Sequence, residues 1–260
     1  MGRTATPDVV NTLQQPSQPT HELSVLATVA HELRGPLTAL AQSSELLAED
    51  FLNLDPEQIK SMLGAMHRRT LWLQGLVENL LCAATIREGR LHLYRQSLSL
   101  SDLLADVDAV VGPILAQRGQ RLRVRTSQRL PEVLADSRRL GQVLINLILN
   151  ASKFGVPNTP IDVTISSRNG AVRVSVADRG PGVSLDQVDR LFQPYYRAPE
   201  TADSSKDGVG LGLSIVKSIV EAHGGDVGIE NRRGGGARFW FSIPTVGRAA
   251  SAKSHLSIVS

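Results

Sequence analysis

The sequence predicts an α+β protein in two parts, an antiparallel helical hairpin followed by a sheet covered on one face by helices. Three observations carry this. Apolar residues in the first part recur at alternating steps of three and four. In the second part they alternate with period two over short runs. Turn and helix-start residues separate the two kinds of segment.

In the first part, Leu23, Leu26, Ala30, Leu33, Leu37, Leu40 and Leu47 follow the three-four rhythm, with Ser44 in the one gap. Ile59, Leu63, Met66, Leu73, Val77 and Leu80 form a second series, interrupted at Thr70. Both have the period of packed, nearly parallel or antiparallel helices. "EDFLNLDPEQ" supplies the turn between them, and Asp55-Pro56-Glu57 opens the second helix. One hairpin cannot enclose a core, so a homodimer forming a four-helix bundle is expected. In "VAHELRGPLTAL", His31 lies one residue past the seam position Ala30, on the bundle flank and partly exposed. Taken alone, that describes a surface histidine. Gly35 costs roughly 1 kcal/mol of helix stability relative to alanine. Pro36 removes a backbone donor and crowds the Glu32 carbonyl, so bending beside His31 is expected.

Composition narrows the function classes. The 260 residues allow two ordinary domains, and 42% hydrophobic with 20% charged residues is a globular composition. A net charge of +3, with no basic stripe interleaved with aromatics, gives no argument for nucleic acid. The basic run "RGQRLRVRTSQR" reads as a solvated strand edge. Cys82 is the only cysteine, so an intramolecular disulfide is excluded, and its apolar helical setting reads as a small buried hydrophobe. No apolar run approaches the ~18 residues of a membrane span and no signal peptide opens the chain. A soluble cytoplasmic protein is expected, with any membrane attachment through a partner.

Residues 1–20, rich in Pro, Gln, Thr and Ser, read as a flexible leader and 21–90 as the hairpin. Residues 91–246 read as the second domain, and 247–260 as a disordered tail. In the second domain "IDVTISS" and "AVRVSVAD" are strands joined at Asn169-Gly170, a strong hairpin turn. Helices are expected over roughly Ser101 to Arg118, Ser137 to Phe154, Ser184 to Phe192 and Leu211 to His223. "RRGGGARFWFSI" adds a turn and a strand.

Four segments of this domain carry candidate chemistry. In "GQVLINLILNASKF" a helical wheel gathers Leu140, Leu144, Leu147, Ile148 and Ala151 on a core face. Asn146, Asn150 and Lys153 fall together on the opposite face. Asparagine oxygens suit Mg²⁺ and a lysine suits phosphate. In "VADRGPGV" a strand runs into Asp178, whose carboxylate can accept from an exocyclic amine such as adenine's. Gly180 and Gly182 would let the backbone approach the base. "LFQPYYRAPE" clusters Phe192, Tyr195 and Tyr196, either packed under a mobile flap or in ligand contact, and Ala198 to Asp207 reads as a flexible loop. In "DGVGLGLSIVKSIVEAHGG", Gly208, Gly210 and Gly212 open a helix whose free amides and dipole suit phosphate. The spacing is neither the dinucleotide fingerprint nor a P-loop.

In this order the motifs His-Glu-x-x-x-Pro-Leu, Asn-x-x-x-Asn-Ala-x-Lys-Phe, Asp-x-Gly-x-Gly, Phe-x-Pro-x-Tyr-Arg and Gly-x-Gly-Leu-Gly-Leu resemble a bacterial two-component sensor histidine kinase. The resemblance covers roughly residues 21–245. It implies that His31 accepts the γ-phosphoryl group of ATP and that Glu32 orients the imidazole and takes its proton. It implies Asn150 as a Mg²⁺ ligand with Asn146 beside it, Lys153 on phosphate and Asp178 on adenine. Gly208, Gly210 and Gly212 would form the phosphate-side loop, with Ala198 to Asp207 as a lid, in an ATP-binding α/β sandwich. The partner implied is the receiver domain of a response regulator, whose aspartate takes the phosphoryl group from His31.

One position departs from the family pattern. Four residues after the histidine, where Thr or Asn is usual, stands Gly35, and weak phosphatase activity is therefore expected. About 30 residues before His31 are too few for a sensor domain, so the chain is a fragment or takes its signal from another protein or through its leader. Two rivals are a non-catalytic phosphotransfer scaffold with a degenerate ATP-binding domain, and an ATPase of the same superfold. Intact Asn150, Asp178 and glycines oppose the first, and the histidine hairpin opposes the second.

Overall fold

The computed structural model describes residues 19–127, 130–198 and 209–245. The expected leader and tail, Gly208 and all but the first residue of the loop from Ala198 to Asp207 lie outside these, apart from the few residues at their edges. Helices α1 (Pro19–Asp50) and α2 (Pro56–Arg87) form the hairpin. Helix α1 continues through Gly35 and Pro36. Helix α2 starts where the sequence places a start. Gln58 N donates to Asp55 Oδ1 (2.8 Å), Asp55 N donates to Gln58 Oε1 (3.0 Å), and Pro56 occupies the first turn. In the single chain Leu37, Leu63 and Val77 of the two apolar series remain about half exposed.

The second unit begins with β1 (Gln96–Leu98) and α3 (Leu100–Ala116), then β2 (Leu122–Thr126), β3 (Val133–Ala135) and α4 (Ser137–Phe154). It continues with β4 (Ile161–Arg168), β5 (Ala171–Ala177), α5 (Gly212–Ala222), β6 (Asp226–Asn231) and β7 (Ala237–Pro244). Among the described residues five strands form one mixed sheet in the order β2-β4-β5-β7-β6, with only the β2–β4 pair parallel, while β1 and β3 make a separate ribbon. Alternation sets the faces. Val163, Val176 and Phe239 lie side by side on the buried face, as do Ile165, Val174 and Phe241. They join Val111 and Leu115 of α3, Leu144 and Ile148 of α4, and Ile215 and Ile219 of α5 in one core. Each such side chain stabilises the fold by about 1.5–3 kcal/mol relative to exposure. The architecture is the α+β hairpin-plus-sandwich the sequence predicts.

On the opposite face Asp162 takes ion pairs from Arg123 and Arg179. Burial pushes its carboxyl pKa up, but the bonds and charges of the two arginines outweigh this and hold it below the usual value. The basic run around β2 is a sheet edge, as expected. His223, at the end of α5, is buried. Its Nε2 accepts from Asp136 N (3.0 Å) and its Nδ1 lies 2.8 Å from the Ile219 carbonyl, so the neutral ring satisfies both. Burial lowers its pKa, in keeping with that neutral state. Asp136 also caps α4 through Arg139 N and accepts from Tyr94 N, which ties the linker to the start of α4.

Two expectations need correction. The helix expected from Ser184 to Phe192 is only a single tight turn, Leu185–Gln187, followed by further turns. Their bonds are mostly of the three-residue type, such as Arg190 N to Gln187 O and Gln193 N to Arg190 O. Pro194 cannot continue a helix, and Tyr195 sits at φ 64°, where its N–H reaches Gly210 O (3.0 Å). Strands β1, β3 and β6 add to those the sequence predicts. The first two are three residues long, and β6 contains Gly228, whose missing side chain makes room for the Trp240 ring. Among the described residues no helix is long and apolar enough to cross a membrane.

Candidate functional site

A cavity of about 690 Å³ lies where α4, the end of β5, the start of α5 and one side of α2 meet. Helix α4 supplies its most polar wall. Burial of Leu140, Leu144, Leu147, Ile148 and Ala151 fixes the rotation of this helix, so Asn146, Asn150 and Lys153 line the cavity as the wheel predicts. Asn146 Oδ1 accepts from Asn79 Nδ2 of α2 (3.5 Å), while Asn146 Nδ2 is buried without a hydrogen-bond acceptor among the described residues. Lys153 Nζ stands 4.8 Å from the centre of the Phe154 ring.

Asp178, only 3% exposed, lines the cavity at the end of β5. Its Oδ1 accepts from Gly180 N (2.7 Å) and Ala237 N (3.2 Å), and no hydrogen bond to Oδ2 is present among the described residues. The carboxylate is thus anchored by one oxygen and keeps the other as an acceptor.

The glycines divide into different tasks. Gly182, Gly210 and Gly212 line the cavity, but Gly180 does not. A Cβ at Gly180 would overlap the Phe154 carbonyl oxygen, so close packing against the end of α4 requires this glycine, rather than approach to a ligand. Gly182 has φ 86°, and its Cβ would lie 2.8 Å from Asn231 Oδ1, which accepts from Val183 N. Gly210 has φ 77° and lies against Tyr195 and Tyr196. Gly212 opens α5, and a Cβ there would stand 3.6 Å from Asn146 Oδ1. Gly208 is outside the described residues.

His31 is exposed on α1 and does not line the cavity. Its neighbour Glu32 pairs with Arg197, Oε1 to Nη1 3.6 Å, with only 10% of the Glu32 side chain exposed. This pair joins the hairpin to the segment that follows the aromatic cluster. Arg197, Asn79 and Gln142 carry no local sequence signal of a role at the site. Arg197 lies inside the Phe-x-Pro-x-Tyr-Arg motif, but nothing local announces a partner so distant in the chain. Beside Gly35, its own helix backbone and chain neighbours aside, no heavy atom of the described residues comes within 4 Å of a Cβ position, and a cleft there is lined by Arg68, Arg69 and Trp72.

Residues 22–89 match the family described as His Kinase A (phospho-acceptor) domain. Residues 135–247 match the family described as histidine kinase-, DNA gyrase B- and HSP90-like ATPase. An uncharacterized sensor-like histidine kinase of Rhizobium meliloti is 32% identical over 88% of this chain and 44% of its own length. The adaptive-response sensory kinase SasA of Prochlorococcus marinus is 35% identical over 85% of this chain and 56% of its own. Among solved structures, full-length ShkA in complex with AMPPNP superposes with a TM-score of 0.60 at 32% identity, covering 85% of this chain and 45% of that one. Histidine kinase ThkA in complex with response regulator protein TrrA gives 0.59 at 29%, covering 88% and 64%. The chain belongs to the two-component sensor histidine kinase family. It spans about half the length of the relatives described here.

Proposed function

We propose that this chain binds ATP in the cavity, phosphorylates itself on His31 and passes the phosphoryl group to an aspartate of a response regulator. The observation that carries this is the convergence on one cavity of an anchored acceptor, Asp178, with Asn150, Lys153 and the start of α5. In this reading the second Asp178 oxygen accepts from the adenine amine. Lys153 and the free amides at the α5 N-terminus face the phosphates. The Asn150 side-chain oxygen, on the same wall and without a hydrogen-bond partner among the described residues, fits a hard cation. Mg²⁺ held there neutralises phosphate charge.

His31 attacks the γ-phosphorus through a neutral ring nitrogen. The N–P bond forms as the bond to the bridging oxygen of ADP breaks, and Glu32 takes the imidazole proton. Because His31 lies outside the cavity, transfer requires the ATP-binding unit to move against the hairpin or to act on a partner copy. The half-exposed Leu37, Leu63 and Val77 support a homodimer through the hairpins. Residues 21–90 form the phosphoacceptor hairpin and 91–246 the ATP-binding unit in this proposal, acting in the cytoplasm, where ATP is held. The ShkA complex with AMPPNP and the ThkA complex with TrrA support the choice of nucleotide and partner.

Incubation of the chain with γ-labelled ATP and Mg²⁺ tests the reading. Acid-labile, base-stable label that His31→Gln abolishes is expected. Absence of label under varied conditions, with no nucleotide bound, would favour the scaffold instead.

Phosphatase activity toward the regulator is proposed to be weak, because Gly35 offers no side chain to orient a water. The open space at Gly35 makes a direct gain test feasible. Gly35→Thr is expected to raise the ADP-stimulated loss of phosphate from a phosphorylated regulator about tenfold or more. Rapid loss with the unaltered chain, or no change in the variant, contradicts the proposal.

A further inference from the structure

Asn79 belongs to the hairpin, yet its side chain reaches the cavity wall of the other unit. Its Nδ2 donates to Asn146 Oδ1 (3.5 Å), and its Oδ1 accepts from Gln142 Nε2 (3.3 Å). Gln142 Oε1 in turn accepts from Arg139 Nη1 (3.4 Å). The polarity of this relay is fixed at its far end, because a guanidinium can only donate. Gln142 must therefore turn its oxygen to Arg139 and its amide nitrogen to Asn79. Asn79 must then give its oxygen to Gln142 and its nitrogen to Asn146. Asn146 is left with its carbonyl held toward the hairpin and its amide nitrogen buried without an acceptor among the described residues. A buried donor left unpaired destabilises the state that holds it. An anionic oxygen in the cavity removes that penalty.

We propose that Asn79 is a positioning residue for the nucleotide: it fixes Asn146 as a donor to a phosphate oxygen, so nucleotide affinity depends on docking of the hairpin against α4. This rests on the reading of the cavity as a nucleotide site. Once the hairpin undocks, the Asn146 amide can turn over and set its carbonyl against a phosphate. By linkage, bound nucleotide strengthens the docking by the same factor. The assignment separates two neighbouring asparagines: Asn150 offers an oxygen to a cation, and Asn146 a nitrogen to an anion.

The test is ADP affinity measured calorimetrically on the full chain. Asn79→Leu keeps the volume and removes the relay. Asn79→Asp keeps the shape and the bond from Gln142, but reverses the bond to Asn146, which must now donate to the carboxylate. Asn79→Leu is expected to weaken ADP binding about three- to tenfold, and Asn79→Asp more. In an Asn146→Ala background both effects should largely vanish, which neither a general loss of stability nor simple repulsion by the new carboxylate would produce. Unchanged affinity in Asn79→Leu, or losses that persist in full without Asn146, would overturn the proposal. If the unaltered chain binds no ADP, the nucleotide reading itself falls, and this inference with it.

Discussion

Asp178→Asn is expected to weaken ADP binding by the full chain about a hundredfold or more. The two side chains have the same shape, and an asparagine Oδ1 can still accept from the amides of Gly180 and Ala237. The change falls on the other atom. An NH₂ group takes the place of the second carboxylate oxygen, so a donor meets the adenine amine, itself a donor. Asp178 is only 3% exposed, so water cannot relieve the mismatch. Because the backbone anchors survive, the nucleotide-free protein should unfold at nearly its original temperature. Calorimetric titration alongside a thermal melt separates the two effects, and an affinity within threefold of the original would remove Asp178 from the site.

Gly236→Ala is expected to destabilise the ATP-binding unit by about 3 kcal/mol. Gly236 sits at φ 93°, a region costly for any residue with a Cβ. A Cβ there would also overlap the Asp178 carbonyl oxygen and lie 3.0 Å from Arg179 Cα. Relief requires a shift of the chain that holds Asp178, so nucleotide affinity should fall as well. Gly234 is the internal control: its φ of 90° is equally strained, but, its chain neighbours aside, no heavy atom of the described residues lies within 4 Å of its Cβ position. Gly234→Ala should cost only about 1–2 kcal/mol of backbone strain. Urea unfolding of the two variants checks the difference, and equal midpoints would mean that overlap at Gly236 is relieved freely.

What was legible in the sequence was whatever local periodicity encodes. The two long helices α1 and α2, the alternation in β4 and β5, and the polar face of α4 each follow from neighbours within a few turns. Asn146, Asn150, Lys153 and Asp178 could therefore be singled out and do meet at one cavity. The individual glycines could not be assigned, because their tasks are set by distant partners. Gly180 answers to the Phe154 carbonyl and Gly182 to Asn231. The turn that replaces the expected helix after Ser184 is held by a bond from Tyr195 to Gly210, across the aromatic cluster. Asn79 was silent for the same reason: within α2 it is one more polar residue, and only docking against α4 gives it a task.

In the proposed reaction His31 is the residue this protein phosphorylates on itself. Tandem mass spectrometry at neutral to alkaline pH, after incubation with ATP and Mg²⁺, tests it most directly. A phosphoryl group is expected on the His31 imidazole and on no other side chain. Phosphate on a serine, on a threonine or on another histidine such as His67 or His92, with His31 unmodified, would contradict it.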